Sequence, residues 1–77
     1  MNGFPRPFVL RRSEDVTGVS GTGDVAEGVV FGDGTVALRW RSETASTVLW
    51  DSLDDALAVH GHDGRTTAVF EDEERAA

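Results

Sequence analysis

The residues with the clearest capacity for chemistry sit near the C-terminus, at His60-Gly61-His62-Asp63. Two imidazoles and a carboxylate are a donor set that zinc or nickel accepts. A structural zinc site takes four ligands, and the chain has no cysteine and no third histidine to complete one. The same four residues also read as a helix end. There a histidine meets the negative pole of the helix dipole, and Gly61 and Gly64 make the turn. We therefore assign no metal and no other cofactor, and name His60, His62 and Asp63 as the candidate ligands.

A second motif, Gly18-Val19-Ser20-Gly21-Thr22-Gly23, is glycine-rich and can present backbone amides to an anion. Phosphate loops of this kind open a helix after a strand, and the P-loop carries a lysine. Here a β-rich run follows and the chain contains no lysine. The segment from 13 to 24 reads instead as a long connection. Binding residues are often carried on such loops, so Val19, Ser20 and Thr22 are candidates for partner contact.

Arg39 and Arg41 alternate with Leu38 and Trp40 and so occupy the opposite face of a strand. Arginine forks suit carboxylates and phosphates, which makes this pair a candidate strip for a docking partner. Solvated arginines balancing nearby acids are the alternative. Trp40 and Trp50 read as core anchors, since stacking of bases or sugars needs a basic groove around the indole.

Catalysis finds little support. Ser13, Ser20, Ser42, Ser46 and Ser52 have no histidine at a suggestive spacing. Apart from Glu27, no carboxylate sits in an apolar stretch that would raise its pKa. A chain of 77 residues scarcely encloses a dry pocket of ordinary ligand size. The expectation is a protein that is not an enzyme.

The elements that must position these residues are mostly strands. Pro5 and Pro7 keep the start extended. Residues 8–12, 25–31, 35–41, 46–50 and 66–70 are β-rich runs. Asp33-Gly34 between two of them is a hairpin signal. A two-residue turn there pairs Phe31 with Val36, Val29 with Leu38 and Glu27 with Trp40. That register gathers the large apolar groups on one face. A three-residue turn pairs Glu27 with Arg39 and divides those groups between faces. The apolar grouping favours the two-residue turn, with Glu27 beside Trp40 as its awkward feature.

After residue 50, Ser52 with Asp55 three positions later resembles a capping box. Leu53, Ala56, Leu57 and His60 then share one helical face. Residues 72–77 read as a frayed acidic tail. The expected architecture is a single domain over 1–77, ordered from about 7 to 71. It is mainly β (α+β): a small five-stranded antiparallel SH3-like barrel or curled sheet, with one short helix before the last strand. An open sheet with the helix packed across one face is the alternative.

Charge narrows the function classes. Fourteen acidic residues stand against seven arginines, a net charge of −7. This excludes non-specific nucleic-acid binding and attraction to an anionic membrane. No apolar run approaches the roughly 20 residues of a membrane helix, and the N-terminus lacks the plan of a signal peptide. The expected location is the cytoplasm. Lysine, isoleucine and tyrosine are all missing, which points to a GC-rich genome. Acidity without lysine points further, to a halophilic cytoplasm. In about 1 M salt the Debye length falls to about 3 Å and crowded carboxylates repel one another less.

The segments 14–23, 26–29, 33–40 and 60–66 together resemble a small uncharacterised protein family of actinobacteria, their phages and haloarchaea. They read Glu-Asp-Val-Thr-Gly-Val-Ser-Gly-Thr-Gly, Ala-Glu-Gly-Val, Asp-Gly-Thr-Val-Ala-Leu-Arg-Trp and His-Gly-His-Asp-Gly-Arg-Thr. The likeness spans about residues 8 to 71. It implies a prokaryotic or viral accessory protein, and the acidic composition favours the haloarchaeal branch. The resemblance brings no activity with it. The expected function is a non-enzymatic protein-interaction module with a protein partner. A small-ligand or metal-binding domain and an acidic nucleic-acid mimic are the alternatives.

Overall fold

The computed structural model describes residues 3–13, 23–61 and 64–76. Five strands and two helices follow one another along the chain. They are β1 (Arg6–Arg12), β2 (Gly23–Val30), β3 (Val36–Trp40), β4 (Thr47–Trp50), α1 (Leu53–His60), β5 (Thr66–Phe70) and α2 (Glu71–Ala76). The strands form one antiparallel sheet in the order β4-β3-β2-β1-β5. This is the expected mainly β fold with a helix before the last strand.

The barrel does not close. β4 and β5 lie at opposite edges and do not pair. Helix α1 packs against both edge strands and so lies across one face of the sheet. Its eight residues span about 12 Å. A helix of that length fills the space that closure would require, which corrects the SH3-like expectation in favour of the open sheet.

Side chains directly opposite one another across antiparallel strands share a face. The covered face carries Phe8 and Leu10 from β1, Ala26 and Gly28 from β2, and Val36, Leu38 and Trp40 from β3. Val48 and Trp50 from β4, and Ala68 and Phe70 from β5, complete it. Leu10, Ala26 and Leu38 have no exposed surface. Leu53, Ala56 and Leu57 of α1 close this face from above. Both indoles point to this interior, as the strand pattern requires.

The hairpin between β2 and β3 departs from expectation. Val30 pairs with Val36, Gly28 with Leu38, Glu27 with Arg39 and Ala26 with Trp40. The loop is the three-residue Gly32-Asp33-Gly34. Phe31 N–H donates to Thr35 O at 2.8 Å and Gly34 N–H to Phe31 O at 2.9 Å. Gly34 sits at φ +92°, the left-handed position that this loop class requires. Asp33 secures it by accepting from Thr35 N–H at 3.0 Å and from Thr35 Oγ1 at 2.7 Å.

Volume explains why this register wins. The large residues Leu38 and Trp40 face the small Gly28 and Ala26, and the space left over is filled by Phe8 and α1. A Cβ at Gly28 would lie 2.7 Å from Phe8 Cζ and 2.6 Å from Ala37 O, so the Phe8 ring lies across this glycine. Glu27 leaves the core face altogether. Counting large apolar residues on two strands alone missed the third and fourth partners in the packing.

A bulge between Leu10 and Arg11 of β1 shifts the pairing with β2, so that Leu10 meets Ala26 and Arg11 meets Asp24. Val25 is the extra residue, and both Val25 and Ala26 are buried as a result. Ser52 caps α1 by accepting from Asp55 N–H at 3.1 Å. Gly61 ends the helix in right-handed geometry, at φ −74°. A side chain there would collide with Leu57 O. Residues 72–76, expected to fray, fall within α2. Arg6 holds it through Asp72 at 3.2 Å, and Arg11 through Glu74 at 3.2 Å. No helix is long and apolar enough to cross a membrane among the described residues.

Candidate functional site

The sheet's second face carries Pro7, Val9, Arg11, Glu27, Val29, Ala37, Arg39, Thr47, Leu49, Thr67 and Val69 in the observed register. Helix α2 covers one end of it, over β1 and β5. There Arg11 Nε donates to Asp24 Oδ1 at 2.7 Å, and its Nη atoms donate to Glu74. That hydrogen bond is the main reason the Asp24 carboxyl lies below its ordinary pKa. Arg6 acts on Asp72 in the same way, again chiefly through a hydrogen bond.

The other end, over β2, β3 and β4, has no covering element among the described residues. It forms an open groove of about 510 Å³ floored by Val9, Val29 and Ala37 and edged by Glu27, Arg39, Thr47 and, from the start of α2, Glu71. Leu49 beside it on β4 is 76% exposed. This is an apolar strip with charged margins, in keeping with a surface that another molecule covers.

The predicted site residues are distributed unevenly. Arg39 lies on this groove, as expected of the face opposite Leu38 and Trp40. Its cross-strand neighbour is Glu27 rather than Gly28. Arg41 lies just beyond the strand, and its amide donates to Val25 O. Its Nη2 meets Glu27 Oε2 at 2.8 Å. The positive strip expected of Arg39 and Arg41 is therefore half neutralised. Arg39 is left with the Thr47 hydroxyl, to which Nη1 donates at 3.0 Å. Among the described residues it forms no ion pair.

His60 does not stand as an open ligand. Its ring packs edge-on against Trp40 at 4.8 Å and Trp50 at 5.7 Å between centroids. It works there as a half-buried wall of the core. Among the described residues no group of three or more His, Cys, Asp or Glu has metal-site geometry. His62 and Asp63 lie outside the described residues, as do Val19, Ser20 and Thr22 of the long connection.

Residues 5–72 match the model of a family described as Acb5 phage protein. The chain belongs to this family. The match spans all five strands and α1, so the open face and its groove lie within the family's extent. No curated protein and no solved structure matches the chain.

Sequence reasoning missed two features. Arg12 ends β1 on the covered face and is 3% exposed, with Nε donating to Thr66 Oγ1 at 2.8 Å. Its place was legible in the alternation Phe8, Leu10, Arg12, but a charged residue is not read as core. The second is the groove itself. The two-residue turn puts Val29 on the apolar face with Leu38, and only the observed register moves it to the open face.

Proposed function

We propose that this chain is a non-enzymatic phage accessory protein that binds another protein through the open end of its sheet. The observation that supports this is the groove over Val9, Val29 and Ala37, with Arg39 at its margin carrying no carboxylate among the described residues. The groove favours a partner segment with apolar side chains and a carboxylate within reach of Arg39. Arginine takes a carboxylate through two parallel hydrogen bonds, which fixes orientation as well as affinity. In this reading the acidic surface serves solubility and selectivity, and the protein works in the cytoplasm of the infected cell.

A photo-crosslinking residue at Ala37, in the groove, and one at Val59, exposed on α1, test the reading in infected cells. A discrete protein adduct from position 37 and none from position 59 is the expected result. No adduct at 37, or the same adducts from both positions, rejects it.

The lysine-free, acidic composition supports a salt-rich host, haloarchaeal rather than actinobacterial. Melting temperature is then expected to rise between dilute buffer and molar KCl, because screening relieves repulsion within a chain of net charge −7. Equal midpoints in the two buffers reject the halophilic origin and leave the groove reading untouched.

A further inference from the structure

Among the described residues, the outer edge of β4 has only its four-residue length as protection. Proteins guard such edges with lysine, proline, inward charges or a covering element. Thr47-Val48-Leu49-Trp50 contains no charge and no proline, and no described strand pairs with its outer side. The hydrogen-bond phase of the sheet tells which of its amides are spare. Trp40 N–H donates to Ser46 O at 3.0 Å, so Trp40 and Ser46 form a hydrogen-bonded pair. In an antiparallel ladder such pairs alternate with non-bonded ones. Ser46, Val48 and Trp50 therefore turn their backbone groups toward β3. Thr47 and Leu49 turn theirs outward, and Asp51, one residue past the end of β4, has the same parity.

We propose that this edge pairs with the β4 edge of a second copy of the chain, antiparallel about a two-fold axis at Leu49. The outward-facing residues then meet one another: Leu49 against Leu49 of the second copy, and Thr47 against its Asp51. Two five-stranded sheets become one continuous sheet, with both open faces on the same side. The two exposed leucines cover each other at its centre.

Charge complementarity selects this register over its neighbours. Arg39 is directly opposite Thr47 and already donates to its hydroxyl. Asp51 of the second copy becomes the next residue along that row. Two strand spacings separate the Arg39 and Asp51 backbones, about 10 Å, within reach of an extended guanidinium and a carboxylate. Among the described residues Arg39 and Asp51 each form no ion pair, and the two-fold makes the pair twice. Moving the register by two residues puts Leu49 opposite Thr47 and leaves both charges unmet. The net charge of −7 on each copy opposes association in dilute buffer, so salt favours the dimer.

Sedimentation equilibrium in about 0.15 M KCl, where the Arg39–Asp51 pair is only partly screened, tests this with two charge reversals, Arg39→Asp and Asp51→Arg. Each one alone sets like charges against each other in both pairs. We expect each to weaken the dimer at least about tenfold. Mixed in equal amounts, the two variants restore both pairs in a heterodimer, and wild-type affinity returns. Leu49→Pro is the companion variant. It removes an outward N–H that β3 does not use, a position where edge strands accept proline, and is expected to give a folded monomer. Amide exchange at Thr47 and Leu49 is expected to slow as protein concentration rises.

A wild-type chain that stays monomeric at millimolar concentration in molar KCl overturns the proposal. So does a mixture that fails to re-associate, or a dimer that leaves the Thr47 and Leu49 amides unprotected. The dimer engages both Arg39 guanidiniums and so competes with the carboxylate contact of the groove reading, whereas adducts of another protein captured at Ala37 test the apolar floor of the groove by themselves.

Discussion

The two faces of this sheet are built from the same five strands and solve opposite problems. On the covered face, Phe8, Leu10, Val36 and Leu38 pack beneath α1, and small residues at 26 and 28 make room for large neighbours. On the other face the apolar residues, Leu49 apart, are smaller, valine, alanine and proline, and they alternate with Arg11, Glu27 and Arg39. Helix α2 shields only the β1 and β5 end. Burial per side chain follows the helix above it rather than the hydropathy of the residue. Leu38 is fully buried while Leu49, the same residue type on the next strand, is 76% exposed. One face supplies the stability, and the end of the other beyond α2 stays open among the described residues.

The sharpest way to break this contrast is to truncate a leucine on each face. Leu38→Ala removes a side chain with no exposed surface, and a loss of about 2–5 kcal/mol is expected. Leu49→Ala is expected to change stability by less than about 0.5 kcal/mol. Urea unfolding of both variants checks this, and comparable losses would erase the distinction between the faces.

Gly28→Ala is next in size. Its added methyl must displace the Phe8 ring or the Ala37 carbonyl, at a cost of about 1–3 kcal/mol. The same denaturation measurement applies. A neutral result would mean that Phe8 does not lie across β2 as described.

Ser52→Ala removes the acceptor for Asp55 N–H and is expected to cost about 1 kcal/mol, loosening α1 over the covered face. Far-ultraviolet circular dichroism at intermediate urea reads this, with faster amide exchange at Asp55.

The smallest effect is on the shielded end of the open face. Asp24 and Asp72 are held below their ordinary pKa by hydrogen bonds from Arg11 and Arg6. A carboxyl whose folded pKa is depressed adds stability that is present above its unfolded pKa. That contribution is lost as pH falls through the folded value. It is therefore complete at neutral pH and declines once pH drops below about 4. Asp72 lies on α2 itself, and Asp24 shares Arg11 with Glu74 of α2, so amide protection within residues 71–76, after correction for the intrinsic pH dependence of exchange, is expected to fall over that window. Protection that does not change would show that α2 is held by contacts other than these ion pairs.

Much of the order of elements along the chain was legible because it rests on local chemistry. Glycine and aspartate at 32–34 must turn, and Ser52 with Asp55 must start a helix. Alternation at 8–12 and 36–40 must make strands. The acidic tail was misread because an isolated run of Glu71-Asp72-Glu73-Glu74 has no reason to hold a helix. Its holding groups, Arg6 and Arg11, lie more than sixty residues earlier. The candidate site was less legible than the fold. Arg39 was picked out on the correct face, but its neighbour was wrong, and the groove beside it came into view only with the register.

What the linear chain settles by itself is therefore the set of elements, the inward facing of both indoles and the surplus of negative charge. These depend on residue type and on spacing within a few positions. The hairpin register, the open sheet and the exposure of Leu49 depend on volumes shared among segments distant in sequence. Gly28 accepts the Phe8 ring, and α1 occupies the space a closed barrel would need. Packing is a property of all partners at once, so those features were decided only when the strands and helices met.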